Sequence, residues 1–221
     1  MMNRLKLSVL LFASVLLMTS CSSDDNGGDS GGNIETDFDF FISFKADGEL
    51  VEMGFALDDF DPSFQHSISY TDFLSGTSCF RTCSPGIFSV NDNSIPQAGV
   101  SFYRFLDAFC TSADGAVFNT LFPVGNYSYS STDAENGVGF EYSPDIPDSP
   151  FYLTTGGGSQ SDSNSFTITS SEEDNTLFAG GTSYGQIVSG TFSCTVFNQL
   201  DDNDTLAITE GVFRLRVETS N

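Results

Sequence analysis

Phe38, Phe40, Ile42 and Phe44 alternate with Asp39, Phe41, Ser43 and Lys45 near the start of the chain's body. A period of two predicts a half-buried strand, because successive side chains of an extended backbone point to opposite faces. Asp47-Gly48 follows as a two-residue hairpin signal, and Val51, Met53, Phe55 and Leu57 alternate beyond it. Asp58-Asp59-Phe60-Asp61-Pro62 interrupts the pattern as a loop, after which Phe64, His66, Ile68 and Tyr70 share one face of a third strand. Residues 100–106 are apolar on both faces, which predicts a central strand covered on two sides. Residues 121–129 read as a turn feeding another strand.

Residues 130–150 form the least regular part of the body, with Pro144, Pro147 and Pro150 amid polar residues and a short strand at Gly139-Phe140-Glu141-Tyr142. Gly156-Gly157-Gly158-Ser159 and Ser161-Asp162-Ser163-Asn164 predict a flexible tip. Regularity returns at Phe166-Thr167-Ile168-Thr169, with Ser171-Glu172-Glu173-Asp174-Asn175 as its turn. Val188, Gly190, Phe192, Cys194 and Val196 then share a face of a long strand, and Asp201-Asp202-Asn203-Asp204 reads as a hairpin loop. In the last strand Leu206 and Ile208 hold one parity, while Phe213, Leu215 and Val217 hold the other. That change of phase predicts a β-bulge at Glu210-Gly211, which returns both sets to one core face. Sustained apolar spacing at i, i+3, i+4, i+7 is missing from the body, so no long helix is expected. Roughly nine or ten short strands with Gly-rich turns predict an all-β fold, an antiparallel β-sandwich with a lipocalin-like β-barrel as the alternative.

Ahead of the body, Arg4 and Lys6 precede an apolar run over residues 7–18 that is too short to span a bilayer. Small residues and then Cys21 close it, the layout of a secretory signal whose cleavage point is a cysteine. Residues 22–32 hold no apolar side chain and cannot bury surface, so they read as a flexible acidic spacer. The expected organisation is a signal peptide over 1–20, a tether over 21–36 and a single β domain over 37–221.

Charge narrows the partners. The chain has 30 Asp+Glu against 7 Lys+Arg, a formal net charge of −23. With Arg4 and Lys6 in the leader, the body keeps Lys45, Arg81, Arg104, Arg214 and Arg216. Such a surface repels phosphate backbones, so nucleic-acid binding is not expected. Four cysteines remain besides Cys21: Cys79, Cys83, Cys110 and Cys194. An even number in an exported chain predicts two disulfides with three connectivities open, ahead of buried thiols and of a metal site.

Motifs with chemical content are few. Gly181-Thr182-Ser183-Tyr184-Gly185 matches G-x-S-x-G, but strand residues follow it and the sole histidine, His66, precedes it. A nucleophile elbow needs a strand-to-helix turn and a histidine after the serine, so a glycine-rich turn is the reading here. His66 sits among Phe64, Ile68 and Tyr70 as a structural imidazole. Asp58, Asp59 and Asp61, and Asp201, Asp202 and Asp204, are the densest acidic clusters, and neither follows the calcium-loop spacing. A loosely held calcium ion is the most they suggest; no catalytic residue, metal site or required cofactor is expected. Tyr127, Tyr129, Tyr142 and Tyr152 cluster near the long loops and bear on a sugar-binding reading, which the absence of Trp weakens.

Ser20-Cys21 resembles a lipoprotein cleavage site, with Met18 where leucine is usual, and Ser22-Ser23-Asp24-Asp25 resembles the export tag of Bacteroidetes surface lipoproteins. That resemblance implies diacylglycerol on Cys21, attachment to the cell outer membrane and exposure to the outside. Ile42-Ser43-Phe44-Lys45-Ala46-Asp47-Gly48, Phe166-Thr167-Ile168-Thr169, Val188-Ser189-Gly190-Thr191-Phe192-Ser193 and Ile208-Thr209-Glu210-Gly211-Val212-Phe213 resemble a family of β-rich Bacteroidetes lipoproteins of unassigned activity. Asp204-Thr205-Leu206 resembles the short O-glycosylation sequon of that phylum. The expected function is a non-catalytic extracellular module for a glycan or protein partner, held to the membrane through Cys21. A carboxylate-based glycan hydrolase and a structural envelope component are the alternatives.

Overall fold

The first hairpin forms as its alternation dictates: β1 (Phe40–Ala46) and β2 (Glu49–Phe55) pair antiparallel around Asp47-Gly48, where Asp47 has φ of 48°. Positive φ at the turn matches the twist of the flanking strands. The turn is also clamped to the far end of the chain. Asp47 N–H donates to Ala207 O at 2.9 Å, and Ala207 N–H donates to Asp47 Oδ1 at 2.8 Å.

This computed structural model describes residues 38–56, 64–75, 78–89, 96–106, 120–131, 136–144, 150–155, 157–174 and 183–220, all in the unit Glu35–Asn221; for 64–75, 78–82, 88–89, 104–106, 183–184 and 218–220 it describes the backbone alone. The expected signal peptide, the whole tether with Cys21, Cys110 and the Asp58–Asp61 cluster lie outside these residues.

The remaining strands are β3 (Phe64–Ser75), β4 (Ser78–Ser89), β5 (Gln97–Leu106), β6 (Gly125–Tyr127), β7 (Gly137–Ser143), β8 (Tyr152–Leu153), β9 (Ser165–Asp174), β10 (Ser183–Asn198) and β11 (Asp201–Ser220). They make one antiparallel sheet in the order β2-β1-β11-β10-β8-β7-β5-β4-β3, with β9 on β10 and β6 on β9. The fold is all-β, as expected, with eleven strands among the described residues; the surplus over nine or ten includes the very short β6 and β8. Apart from β1–β11, strands on the path run in descending chain order, with β9 and β6 set off it, so the sheet is meander-like and joined across its ends by β1–β11. It curls until its two end strands, β2 and β3, approach within 8 Å. The hydrogen-bonded path stops there, leaving an open, sandwich-like sheet.

Aromatic side chains fill the space between its two halves. Phe44 of β1 meets Phe140 and Tyr142 of β7 edge-on, with ring centroids 5.3 and 5.1 Å apart. Phe192 of β10 lies 4.7 Å from Phe140, and Phe166 of β9 stacks on Phe213 of β11 at 5.2 Å. Edge-to-face and offset pairs of this kind contribute about 0.5–1.5 kcal/mol each beyond their area burial.

The expected bulge is present. Glu210 has φ of 52°, and the register of β11 shifts on both sides, between Phe192 and Cys194 of β10 and between Ser43 and Lys45 of β1. Ile208 and Phe213 consequently both reach the core. Gly211 is needed there because a Cβ would lie 2.6 Å from the Phe192 ring.

Four local expectations are corrected. Residues 130–150 contain a full seven-residue strand, β7, that pairs with β5 and β8 and buries Val138 and Phe140. Ser171–Asp174 is not a turn but the continuation of β9, held by pairing with residues 185–188 of β10. The β10–β11 turn is Gln199-Leu200; Asp202, Asn203 and Asp204 bulge from the start of β11, since Asp201 pairs with Asn198 and Thr205 with Phe197. Residues 157–164 pack against β10 rather than forming a free tip: Gly157 lies on the Phe197 ring, and the Gln160 amide bonds to Thr195.

Candidate functional site

β7 alternates two kinds of residue. Val138, Phe140 and Tyr142 face the core, which leaves Gly137, Gly139, Glu141 and Ser143 on the outer face. Register aligns them with the outer positions of β5, placing Glu141 opposite Gly99, Gly139 opposite Ser101 and Ser143 opposite Gln97. β4 adds Ser84 and Gly86, the latter opposite Gly99. The result is a floor of glycine and serine carrying a single carboxylate, because Glu141 is the one acidic residue on β4, β5 and β7.

Glu141 lies flat across that floor. A Cβ on Gly99 would come 2.7 Å from Glu141 Oε1, so only glycine leaves room for the carboxylate there. Burial raises the Glu141 pKa above the usual carboxylate value, and among the described residues no counter-charge offsets the rise. Ser143, 0 % exposed, has a hydroxyl with no hydrogen-bond partner. Beside them Ser84 and Ser101 share a hydroxyl–hydroxyl bond of 2.9 Å, and Tyr103, 7 % exposed, holds its hydroxyl over Gly139. Unsatisfied buried polar groups are rare in folded proteins; Ser143 is one, and the desolvated Glu141 lies two residues away on the same face.

Most residues singled out in the sequence are brought elsewhere. Cys83 of β4 and Cys194 of β10 are buried thiols rather than disulfide halves, a correction of the expected pairing for these two. Each stands on a core-facing position among apolar side chains, where a thiol packs as a small hydrophobe. Burial pushes the Cys194 thiol up to about 12, with a smaller opposing effect from its hydrogen bond to Tyr129. Cys79 lies in β4 opposite Leu74 and Leu106, with its side chain outside the described residues.

His66 stands in β3 opposite Ile87, its side chain likewise not described. Ser183 and Gly185 of the G-x-S-x-G match begin β10 as extended strand paired with β11, not as a strand-to-helix elbow and not as a turn. Among the tyrosines, Tyr142 and Tyr152 are buried in the core. Tyr127 donates to Pro123 O, and Tyr129 Oη lies 3.2 and 3.1 Å from Ser165 O and Ser193 O. Their hydroxyls are occupied within the fold and they form no exposed platform.

Asp204 is bonded internally as well: its Oδ2 accepts from Tyr152 Oη at 3.0 Å and from Asn198 Nδ2 at 2.7 Å. Asp201 Oδ1 accepts from the Asn203 backbone and side chain, both at 3.0 Å, which lowers the Asp201 pKa. Among the described residues no three His, Cys, Asp or Glu side chains gather as metal ligands. Thr205, in the sequon-like triplet, is exposed.

Glu141 and Ser143 were not among the residues the sequence brought forward. Their signal was the strict alternation of small or polar with apolar residues from Gly137 to Ser143, which extends the four-residue strand to seven. Comparison with protein-family models, with curated proteins and with solved structures found no match to this chain.

Proposed function

We propose that this chain is a lipoprotein of the cell outer membrane, acylated on Cys21, whose β body is a non-catalytic module binding a glycan or protein outside the cell. The leader and its terminal cysteine support the address, together with the serine-acidic run after it. The observation that carries the binding reading is Glu141 beside Ser143: a desolvated carboxylate and an orphaned hydroxyl on one outer face. A ligand hydroxyl or amide N–H reaching this floor would bond to both groups.

The test is a glycan array, with the mature body as probe, repeated with Glu141→Gln and Ser143→Ala. Binding weakened tenfold or more in either variant supports the site, and equal binding rejects it. For the anchor, Cys21→Ala should move the protein from the membrane to the soluble fraction; unchanged membrane association rejects lipidation.

The raised pKa of Glu141 favours one second reading. A carboxyl whose pKa is raised by burial is suited to act as a general acid, the first requirement of a glycan hydrolase. Such enzymes also need a second carboxylate about 5–10 Å away, and β4, β5 and β7 supply none. Polysaccharide turnover that disappears in Glu141→Gln would favour the hydrolase.

A further inference from the structure

Lys45, Arg214 and Arg216, three of the five cationic residues of the body, lie on the opposite outer face, along β1 and β11. Two of them are neutralised. Lys45 Nζ pairs with Glu210 at 2.8 Å, and Arg216, 1 % exposed, bonds Asp174 Oδ2 through Nε at 2.7 Å. Arg214 differs: it forms no ion pair among the described residues, although the chain carries 30 acidic groups, and its Nε is buried without a hydrogen-bond partner. Ser43, 2 % exposed, likewise has a hydroxyl with no partner.

Register puts the two together. Phe41 pairs with Arg214 and Ser43 with Val212, so Ser43 and Arg214 are diagonal neighbours on one face, a spacing within reach of long side chains. On β10 the residue opposite Arg214 is Ser189, and on β2 the residue opposite Phe41 is Gly54, which the half-exposed Phe38 ring covers. An unpaired guanidinium thus stands between an aromatic side chain and small hydroxyl residues. Acidic positions on this face include Glu52, opposite Ser43, Glu172, opposite Ile187, and Glu210, already engaged by Lys45.

We propose that Arg214 and Ser43 form a second binding site, for a single carboxylate carried on a small hydroxylated ligand such as a uronic acid. The guanidinium fork matches a carboxylate through two parallel N–H···O bonds, and Ser43 Oγ pairs with an adjacent ligand oxygen. One charge is specified because the net charge of −23 repels polyanions at range, whereas a monoanion meets mainly the local field of Arg214. This deepens the binding-module reading and rests on it for the setting outside the cell, but it uses a different face from Glu141.

The test is calorimetric titration of the mature body with D-glucuronate, with D-glucose and sodium sulfate as comparison ligands, at low and at physiological salt. Saturable glucuronate binding that weakens with salt and exceeds that of glucose and sulfate is expected. Arg214→Gln should lower it at least tenfold and Ser43→Ala by a few-fold. Arg214→Lys, which keeps the charge and loses the fork, guards against a folding defect and should also bind several-fold more weakly. Glucuronate binding no stronger than glucose binding, or equal in all variants, overturns the site. Glycan-array binding that survives Arg214→Gln while glucuronate fails to saturate overturns this site and leaves the Glu141 reading standing. Glucuronate binding lost in Arg214→Gln, with array binding indifferent to Glu141→Gln, supports this site and removes the other.

Discussion

The side-chain amide of Gln160 pairs with the backbone of Thr195 as a strand would. Gln160 Nε2 donates to Thr195 O at 2.8 Å, and Thr195 N–H donates to Gln160 Oε1 at 2.9 Å. The place is a gap along one edge of β10: β9 pairs with its residues 185–193 and β8 with residues 197–198. Between them one side chain substitutes for a missing piece of the ladder, and it also ties down the segment that leads into β9.

Gln160→Ala should leave a part-buried N–H and C=O unmatched and destabilise the body by about 1–3 kcal/mol. Gln160→Glu should do no better, since it retains an acceptor for the Thr195 N–H but sets a carboxylate oxygen against the Thr195 carbonyl. Urea denaturation measures the loss, and hydrogen exchange at Thr195 localises it. Unchanged protection of that amide in Gln160→Ala would show that the pairing contributes nothing.

Arg216 and Asp174 set a larger effect. The pair is withdrawn from solvent on β11 and β9, with side chains 2 % and 14 % exposed. Removing one partner of a buried pair strands the other charge, at about 3–5 kcal/mol. Asp174→Ala should therefore destabilise more than the double variant Asp174→Leu with Arg216→Met, in which neither charge remains. A denaturation cycle over the single and double variants checks the order, and a double variant as unstable as Asp174→Ala would contradict it.

Period and phase made the architecture legible in the sequence. Alternation around Asp47-Gly48 located the first hairpin, and the parity change between Ile208 and Phe213 located the bulge that Glu210 and Gly211 form. Where polar residues dominated, local composition misled. Ser171 to Asp174 resemble a turn, yet their strand geometry comes from pairing with β10, a partner that lies beyond their own sequence. Amid the prolines around β7 only four of its seven residues, 139–142, were legible as strand. Neither candidate site was readable in advance, because each depends on register. Nothing local to Glu141 reveals Gly99 beneath it, and nothing local to Arg214 reveals Ser43 on the diagonal strand.

Cys194 should be chemically silent in the folded protein. Its thiol is pushed up to about 12 and buried, and alkylation needs an accessible thiolate. Iodoacetamide at pH 8 should leave the Cys194 peptide unmodified in native protein and convert it fully in denaturant, as read by peptide mass spectrometry. Rapid native labelling would place this cysteine in a reactive setting that the geometry around Tyr129 does not provide.

Glu141 predicts a pH dependence of definite sign. Burial raises its folded-state pKa above the unfolded value, so between the two the folded protein binds more protons than the unfolded chain. Stability from this group is therefore fully present below the unfolded carboxylate pKa and is lost as pH rises through the raised folded value. Other carboxylates shift in the opposite direction, Asp201 among them, so the informative quantity is a difference between proteins. Glu141→Gln keeps the shape and removes the titration, and it should melt at increasingly higher temperature than the parent as pH rises from about 4 to 7. A ligand that donates hydrogen bonds to the carboxylate would lower the folded pKa and shrink that difference. A melting difference independent of pH would mean that Glu141 is solvated in the folded state, and the binding site built around it would go with it.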